Sequence, residues 1–350
     1  IIGERPNHGC WVPLSNDIAS KFTLFDFSHR LTKKTVSVMA FLCLLINTLL
    51  ISTLLSQNAV AANDTTAPIK TTVILPIATG AAKMIYDEVI SGIASHPELE
   101  VSTIAISSKE DIAAVEEKIK ANQSQLIIAV GNRSYKLARA LTNDILIIAG
   151  GISGKPNGIP TVSLTGDPAP AFKELKHIAP HIKNIRLVYN EEINGWWYAR
   201  AQKIAADYDL KIIGYPATNM KDGVKLYEQL LKDATPKTSA VWIPLRSVVP
   251  SKTILPLLLE KAWSKKLAVI SNNPSHTKLG GFVAVYPEHK KMGGQLAQFA
   301  TLHFKGEDID RIVGTENLNF AINLRTSSHI GIRLNAKERA RFDKIFPTQR

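Results

Sequence analysis

Cysteine is almost missing from this 350-residue chain: Cys10 and Cys43 are the only two, and both lie ahead of residue 62. Everything after that point has no disulfide, no thiolate metal site and no cysteine nucleophile, so packing alone must hold it together. Several enzyme signatures are missing too. There is no Gly-x-Gly-x-x-Gly, Walker loop, Gly-x-Ser-x-Gly or His-Glu-x-x-His, which leaves dinucleotide, nucleotide-triphosphate, serine-hydrolase and zinc-protease chemistry without a local motif. Ser275-His276-Thr277-Lys278 fits Ser-x-x-Lys, but it lies in a turn-rich stretch between Pro274 and Gly280, without a Ser-Asp-Asn or Lys-Thr-Gly partner. His177 and His181 have the spacing of two ligands on one helix face, yet Pro180 ends that helix and no third ligand is evident. Fixed-period repeats, low-complexity tracts and heptads are also absent. The expectation is a protein without catalytic residues, without a metal and without a cofactor.

What is present begins with one long apolar run. Lys33 and Lys34 precede Val36 to Leu55, and Ser56-Gln57-Asn58-Ala59-Val60-Ala61-Ala62 follows. Basic residues, an apolar segment and a small-residue exit form the three-part pattern of a signal peptide. Residues 31–61 are therefore expected to be removed, leaving a mature chain in the periplasm that begins at Ala62 or beside it. The run is also long enough to span a bilayer, so an N-terminal anchor facing the periplasm is the alternative. Cys43 lies inside the run instead of at its end, which argues against a lipoprotein. Residues 1–30 carry no periodic pattern and are expected to be an unstructured upstream extension, with translation starting at Leu31 through a non-standard codon.

The whole chain has 42 Lys/Arg against 30 Asp/Glu, a net charge of +12. Residues 1–61 hold five and three of these, so the remainder keeps 37 against 27, or +10. Such a balance often accompanies nucleic-acid binding, but export removes that partner. An anionic membrane surface, an acidic partner, an anionic ligand or plain solubility remain as readings.

From Thr71 onward, short apolar runs alternate with longer amphipathic ones. Strands are expected at 71–77, 101–106, 125–130, 145–149 and 161–164, with helices over 81–94, 109–121 and 132–141. The alternation restarts after Pro168 and Pro170. A helix ends near Pro180, strands follow at 185–189, 211–215, 240–243, 267–270 and 282–286, and helices cover 196–208, 222–231 and 252–264. A helix over 288–304 and a strand at 318–322 close the pattern. This is an α/β class: two doubly wound parallel-sheet lobes around a ligand cleft.

Ligands of such sheets bind beyond the carboxyl ends of the strands. The candidate ligand loops are thus Ala78-Thr79-Gly80, Gly131-Asn132-Arg133-Ser134, Gly150 to Ser153, Asn190 to Trp196, Pro244 to Ser247 and Ser271 to Gly281. Gly131 to Ser134 opens a helix whose free N–H groups favour a carboxylate or phosphate; an ordinary helix cap with Arg133 in solvent is the competing reading. Asn190 and the adjacent Trp196 and Trp197 place polar and aromatic groups at one mouth, with one Trp expected to pack inward. Arg246 beside Ser247 is the best single carboxylate holder, because its planar fork can donate to two oxygens.

The segment Asn323-Leu324-Arg325-Thr326-Ser327-Ser328-His329-Ile330-Gly331-Ile332 resembles the C-terminal Asn-Leu-Lys-Thr-Ala-x-x-Leu-Gly signature of a family of ABC transporter substrate-binding proteins of type I periplasmic-binding fold. Leu126 to Arg133, Ile148 to Ser153, Leu175 to Asn190 and Gly281 to Gly293 resemble further family stretches in order. The resemblance implies one lobe from 70–165 and 288–313, a second from 166–287 and 314–335, and a C-terminal tail over 336–350. It adds Tyr286 to the expected ligand-binding set of Thr79, Gly131, Asn132, Arg133, Ser153, Asn190, Trp196, Arg246 and Ser247. Family ligands of known type include aromatic amino acids. Here Gly154 to Gly158 replaces the family's Asp-Pro-Val-x-x-Gly loop and Arg246 replaces an Asp, so two cleft positions differ.

The implied function is capture of a small molecule, anionic or an amino acid, by hinge closure of a monomer that presents it to an ABC permease. The alternatives are a ligand-sensing accessory of a membrane sensor and a periplasmic enzyme on the same frame.

Overall fold

The computed structural model describes residues 67–142, 144–153 and 158–348. The expected extension 1–30, the expected signal segment 31–61 and the loop residues 154–157 lie outside that set. Strand and helix alternate as β1 (Ile69–Pro76), α1 (Gly80–Ala94), β2 (Leu99–Ile106), α2 (Ile112–Ala121), β3 (Leu126–Val130), α3 (Gly131–Ala138), β4 (Leu146–Ile152) and β5 (Thr161–Gly166). The chain continues through α4 (Pro168–Ile178), β6 (Asn184–Tyr189), α5 (Glu191–Ala205), β7 (Lys211–Pro216), α6 (Met220–Asp233), β8 (Ser239–Ile243), α7 (Ser251–Ser264), β9 (Ala268–Ser271), α8 (Pro274–Lys278) and β10 (Val283–Pro287). The last elements are α9 (His289–Phe304), β11 (Ile312–Thr315), β12 (Leu318–Asn323), α10 (Leu324–His329), α11 (Ala336–Arg339) and β13 (Lys344–Phe346).

Two sheets result. The first runs β11-β5-β4-β3-β1-β2, with every pairing parallel. The second runs β13-β12-β10-β9-β8-β6-β7 and is parallel except where β12 lies antiparallel to β10. All five residues of β3 are buried, because a strand covered by helices on both faces has no solvent side. One face of the first sheet packs Val73, Ile128 and Ile148 against Leu296 and Ala297 of α9. Its other face packs Ile74, Ile104 and Ile127 against Val115 and Ile119 of α2. The second sheet is sandwiched in the same way, around Phe172, Trp197 and Trp242 on one side and Tyr227, Val241 and Leu258 on the other.

Helix starts are set by short polar side chains. Asp111, Asp167, Asn190, Asn219, Asn273 and Asn323 each accept a hydrogen bond from a first-turn N–H of the following helix, satisfying donors that the helix itself leaves unpaired.

The structure departs from the sequence reading at several elements, among them the antiparallel β12 and the short helices α8 and α10. The helix expected from Trp196 begins at Glu191, because Asn190 accepts from the Ile193 N–H and Glu191 and Glu192 oppose the positive end of the helix dipole. The stretch expected as a tail, 336–350, contributes β13, which pairs in parallel with β12. The first sheet also ends on β11, whose four residues are too short to show a period and form a strand only by pairing with β5.

Residues 67–350 form one compact unit. Within it the chain passes between the sheets three times, after β5, after β10 and after β11.

Candidate functional site

In the first sheet the strand order reverses between β1 and β3, and in the second between β6 and β8. Such a reversal sends the two following loops to opposite faces and opens a crevice beyond the strand ends. The loops flanking the first crevice are Ile77 to Gly80 and Gly131 to Ser134. Those flanking the second are Asn190 with the first turns of α5, and Pro244 to Ser247.

At the first crevice Gly131 begins α3 with φ +83, a left-handed backbone that suits glycine. The hydroxyl of Tyr86 lies 2.9 Å from where a Cβ on Gly131 would be, so α1 reaches across the turn only because that side chain is missing. No side chain caps the first turn of α3, and Asn132 and Arg133 are both exposed beside it. The Asn132 amide faces the Ser153 hydroxyl at the end of β4, 3.5 Å away. Burial pushes the Tyr86 phenol above its ordinary value, while the nearby Arg133 charge pulls the other way. Thr79 is exposed at the start of α1 and makes no side-chain cap.

At the second crevice Asn190 accepts from the Ile193 N–H at 3.1 Å and donates to the Ala217 carbonyl at 3.4 Å, linking the ends of β6 and β7. Trp197 is buried and donates its indole N–H to the Gly166 carbonyl at 2.9 Å. Trp196 is half-buried. The expectation that the two neighbours point differently follows from the helix. Arg246 is exposed in the turn after β8 and makes no hydrogen bond or ion pair among the described residues. Ser247 instead bonds the hydroxyl of the fully buried Tyr227, 3.1 Å away, which anchors that turn.

The carboxyl edges of the two sheets meet at Gly166, where Trp197 of α5 and Leu318 of β12 both touch the end of β5. Beside it, Arg200 pairs with the buried Asp167, whose N–H donates to the Thr315 carbonyl at 2.8 Å.

At the first crevice Asn132 meets Ser153, with Thr79, Gly131 and Arg133 in the flanking loops; at the second, Asn190, Arg246 and Ser247 lie in the loops after β6 and β8, while Trp196 packs, half-buried, against the core of the second sheet. Tyr286 joins neither group. It packs with Ala284, Ala321 and Phe346, with Lys344 lying 5.2 Å over its ring. Burial pushes its phenol up to about 12, Asp343 adding to the rise, and its buried hydroxyl has no partner among the described residues. Tyr86 is the residue that sequence reasoning missed, because a tyrosine in mid-helix carries no local signal of which loop it will cover.

A model of the family described as ABC transporter substrate binding protein matches residues 70–341. The chain is similar to the ligand-free, open form of a substrate binding protein with adhesive properties from Clostridium difficile, at 16% identity and TM-score 0.52, covering 79% of this chain and 99% of that one. An ABC domain in complex with L-Trp from Streptococcus pneumonia matches at 14% identity and TM-score 0.45, over 79% of this chain and 99% of that one. No curated protein matches.

Proposed function

The chain belongs to the ABC transporter substrate-binding protein family, and from that premise we propose that it is an exported monomer capturing a small anionic solute between its two sheets for a membrane permease. One observation carries the reading. Both sheets reverse strand order, and the exposed polar groups Asn132, Arg133 and Arg246 stand at those reversals. On the first sheet the ligand's anionic group meets the uncapped N–H donors of α3 and the Asn132 amide. From the second sheet Arg246 supplies a planar, permanently charged fork. Trp196, half-buried near the start of α5, would add an apolar surface for the solute.

Closure follows from the same geometry. Three chain crossings near Gly166, Pro287 and Thr315 form the hinge, with Asp167, Arg200 and Trp197 as its fixed contacts. A solute that bonds both sheets favours the closed arrangement by its differential affinity for it, and the closed form is what the permease would read. No bond of the solute needs to be broken, so no catalytic group is required.

Arg246 provides the test. A hydrogen bond to a charged group contributes about 1.5–3 kcal/mol, so Arg246→Ala should weaken binding of the co-purifying ligand about tenfold to a hundredfold by calorimetry. Lys232→Ala, on the exposed side of α6, should change it little. Equal affinity of Arg246→Ala and wild type would sink the proposal.

A further inference from the structure

The positive charge of this chain is not shared between its halves. The segments that carry the first sheet, 67–166 and 288–316, hold 13 Lys/Arg and 14 Asp/Glu, whereas 167–287 and 317–348, which carry the second, hold 23 and 12. A surplus of 11 positive charges thus sits on one half of the molecule. Such a one-sided field attracts an extended anionic surface and orients the molecule as it approaches.

The same half has an apolar groove at the edge remote from the crevices. Helix α7 leaves the carboxyl end of β8 and returns, so its last turn, with Trp263, lies at the amino edge of the second sheet. Gly280 just precedes β10, and Asn323 ends the antiparallel β12 beside the β10 start. Together Leu259, Trp263, Leu279 and Pro347 line a concavity of about 410 Å³ that is rimmed by Lys278 and Arg325. Leu279 is 67% exposed and Trp263 39% exposed, so both project outward from the groove. The indole is held in place: the His329 ring stacks on it with centroids 3.6 Å apart, and the Arg325 guanidinium lies 5.6 Å from it. Neither Lys278 nor Arg325 has an acidic partner among the described residues, and the single acid of α7, Glu260, pairs with Lys261 at 3.5 Å.

We propose that this groove docks the protein on an anionic phospholipid surface, with Trp263 and Leu279 entering the headgroup layer while Lys278 and Arg325 meet lipid phosphates. A rigid, half-exposed Trp with an apolar neighbour and with cations around it that have no acidic partner among the described residues suits the interface between water and lipid. The surplus charge of the whole half extends the attraction over about a Debye length, roughly 10 Å at moderate salt. Because the groove lies at the amino edge of the sheet, docking there leaves both crevices free. It requires nothing of the solute-binding reading.

Vesicle sedimentation tests the assignment, using the chain from Ala62 onward, which contains the compact unit 67–350. Vesicles of phosphatidylcholine with phosphatidylglycerol should sediment the protein, vesicles of phosphatidylcholine alone should not, and raised salt should release it. Each basic residue near such a surface contributes about a fivefold factor in partitioning. Lys278→Glu with Arg325→Glu should therefore reduce binding by at least about tenfold, as should Trp263→Ser with Leu279→Ser. Lys291→Glu, exposed on the first-sheet half, should leave binding near wild type. Equal sedimentation with both vesicle types, or none with either, overturns the proposal. So does displacement from vesicles by millimolar glycerol phosphate, which would make the groove a small-anion pocket. Binding to soluble polyglutamate through Lys278 and Arg325 without vesicle binding would assign it to an acidic polypeptide and overturn it equally.

Discussion

Single residues near β9 illustrate how burial sets behaviour that sequence alone leaves open. His276 falls in the Ser-x-x-Lys match, yet its ring is buried and its Nδ1 lies 2.7 Å from the Ser271 hydroxyl. That contact is structural. Burial pushes the imidazole below its ordinary value, and burial does the same, as the leading cause, at His181 and His303. A histidine whose folded value is depressed binds fewer protons than its unfolded counterpart, so its contribution is present above about pH 6.5 and lost as pH falls through the folded value. Urea midpoints should therefore decline as the pH is lowered from about 7.5 to about 5. His276→Gln should flatten that decline even if it lowers stability overall, and an unchanged slope would refute the assignment. Arg246 shows the reverse limit: its type and place after a strand were legible, but its lack of a partner emerges only from the folded loop.

Among elements, the contact between α1 and α9 depends on glycine. A Cβ on Gly92 would overlap the Lys290 carbonyl, and one on Gly293 would overlap the Val89 carbonyl. The two backbones meet where side chains are missing, which brings α9 onto the first sheet although it follows β10 in the chain. Overpacking such a contact costs about 1–3 kcal/mol, so Gly293→Ala should lower the denaturant-unfolding free energy by that amount. Gly294→Ala should be neutral or stabilising by up to about 1 kcal/mol, since its Cβ would meet only the Gly92 carbonyl, at 3.9 Å. Equal losses in both variants would mean that helix crossing is not the cause. The stretch from Asn323 to Ile332, whose resemblance to the family is most specific, also proves to be a packing device. Asn323 donates to the Thr277 carbonyl and accepts from the Thr326 N–H, Thr326 donates to the Gly280 carbonyl, and Ile330 and Ile332 enter the core. Its family signal therefore reports fold and says little about ligand.

At the scale of the whole molecule, the three crossings make each half depend on distant sequence. Without residues beyond Pro287 the first sheet would lose β11 from its edge, and Val73, Ile128 and Ile148 would lose Met292, Leu296, Phe299 and Ala300 of α9. A chain of residues 62–287 should thus lack the near-ultraviolet circular dichroism of the full mature chain and should aggregate, because it exposes an apolar sheet face. A soluble fragment with native-like signal would show that the first half folds alone. The alternation of strands and helices and the parallel-dominated α/β class were readable in sequence, because periodicity acts within a few residues. The short strands β11 and β13 were not, since they lack the continuous apolar run that marks the equally short β9 and become strands only through a partner. Nor did sequence separate Trp196 from Trp197, place Tyr86 over Gly131, or move Tyr286 beneath Lys344, since those outcomes depend on which remote backbone each side chain meets. Composition by itself determined the total charge of +12. Only the tertiary structure decided which half carries the surplus and put Trp263, Leu279, Lys278 and Arg325 in one groove, because segments far apart in the chain share a surface only after the sheets form.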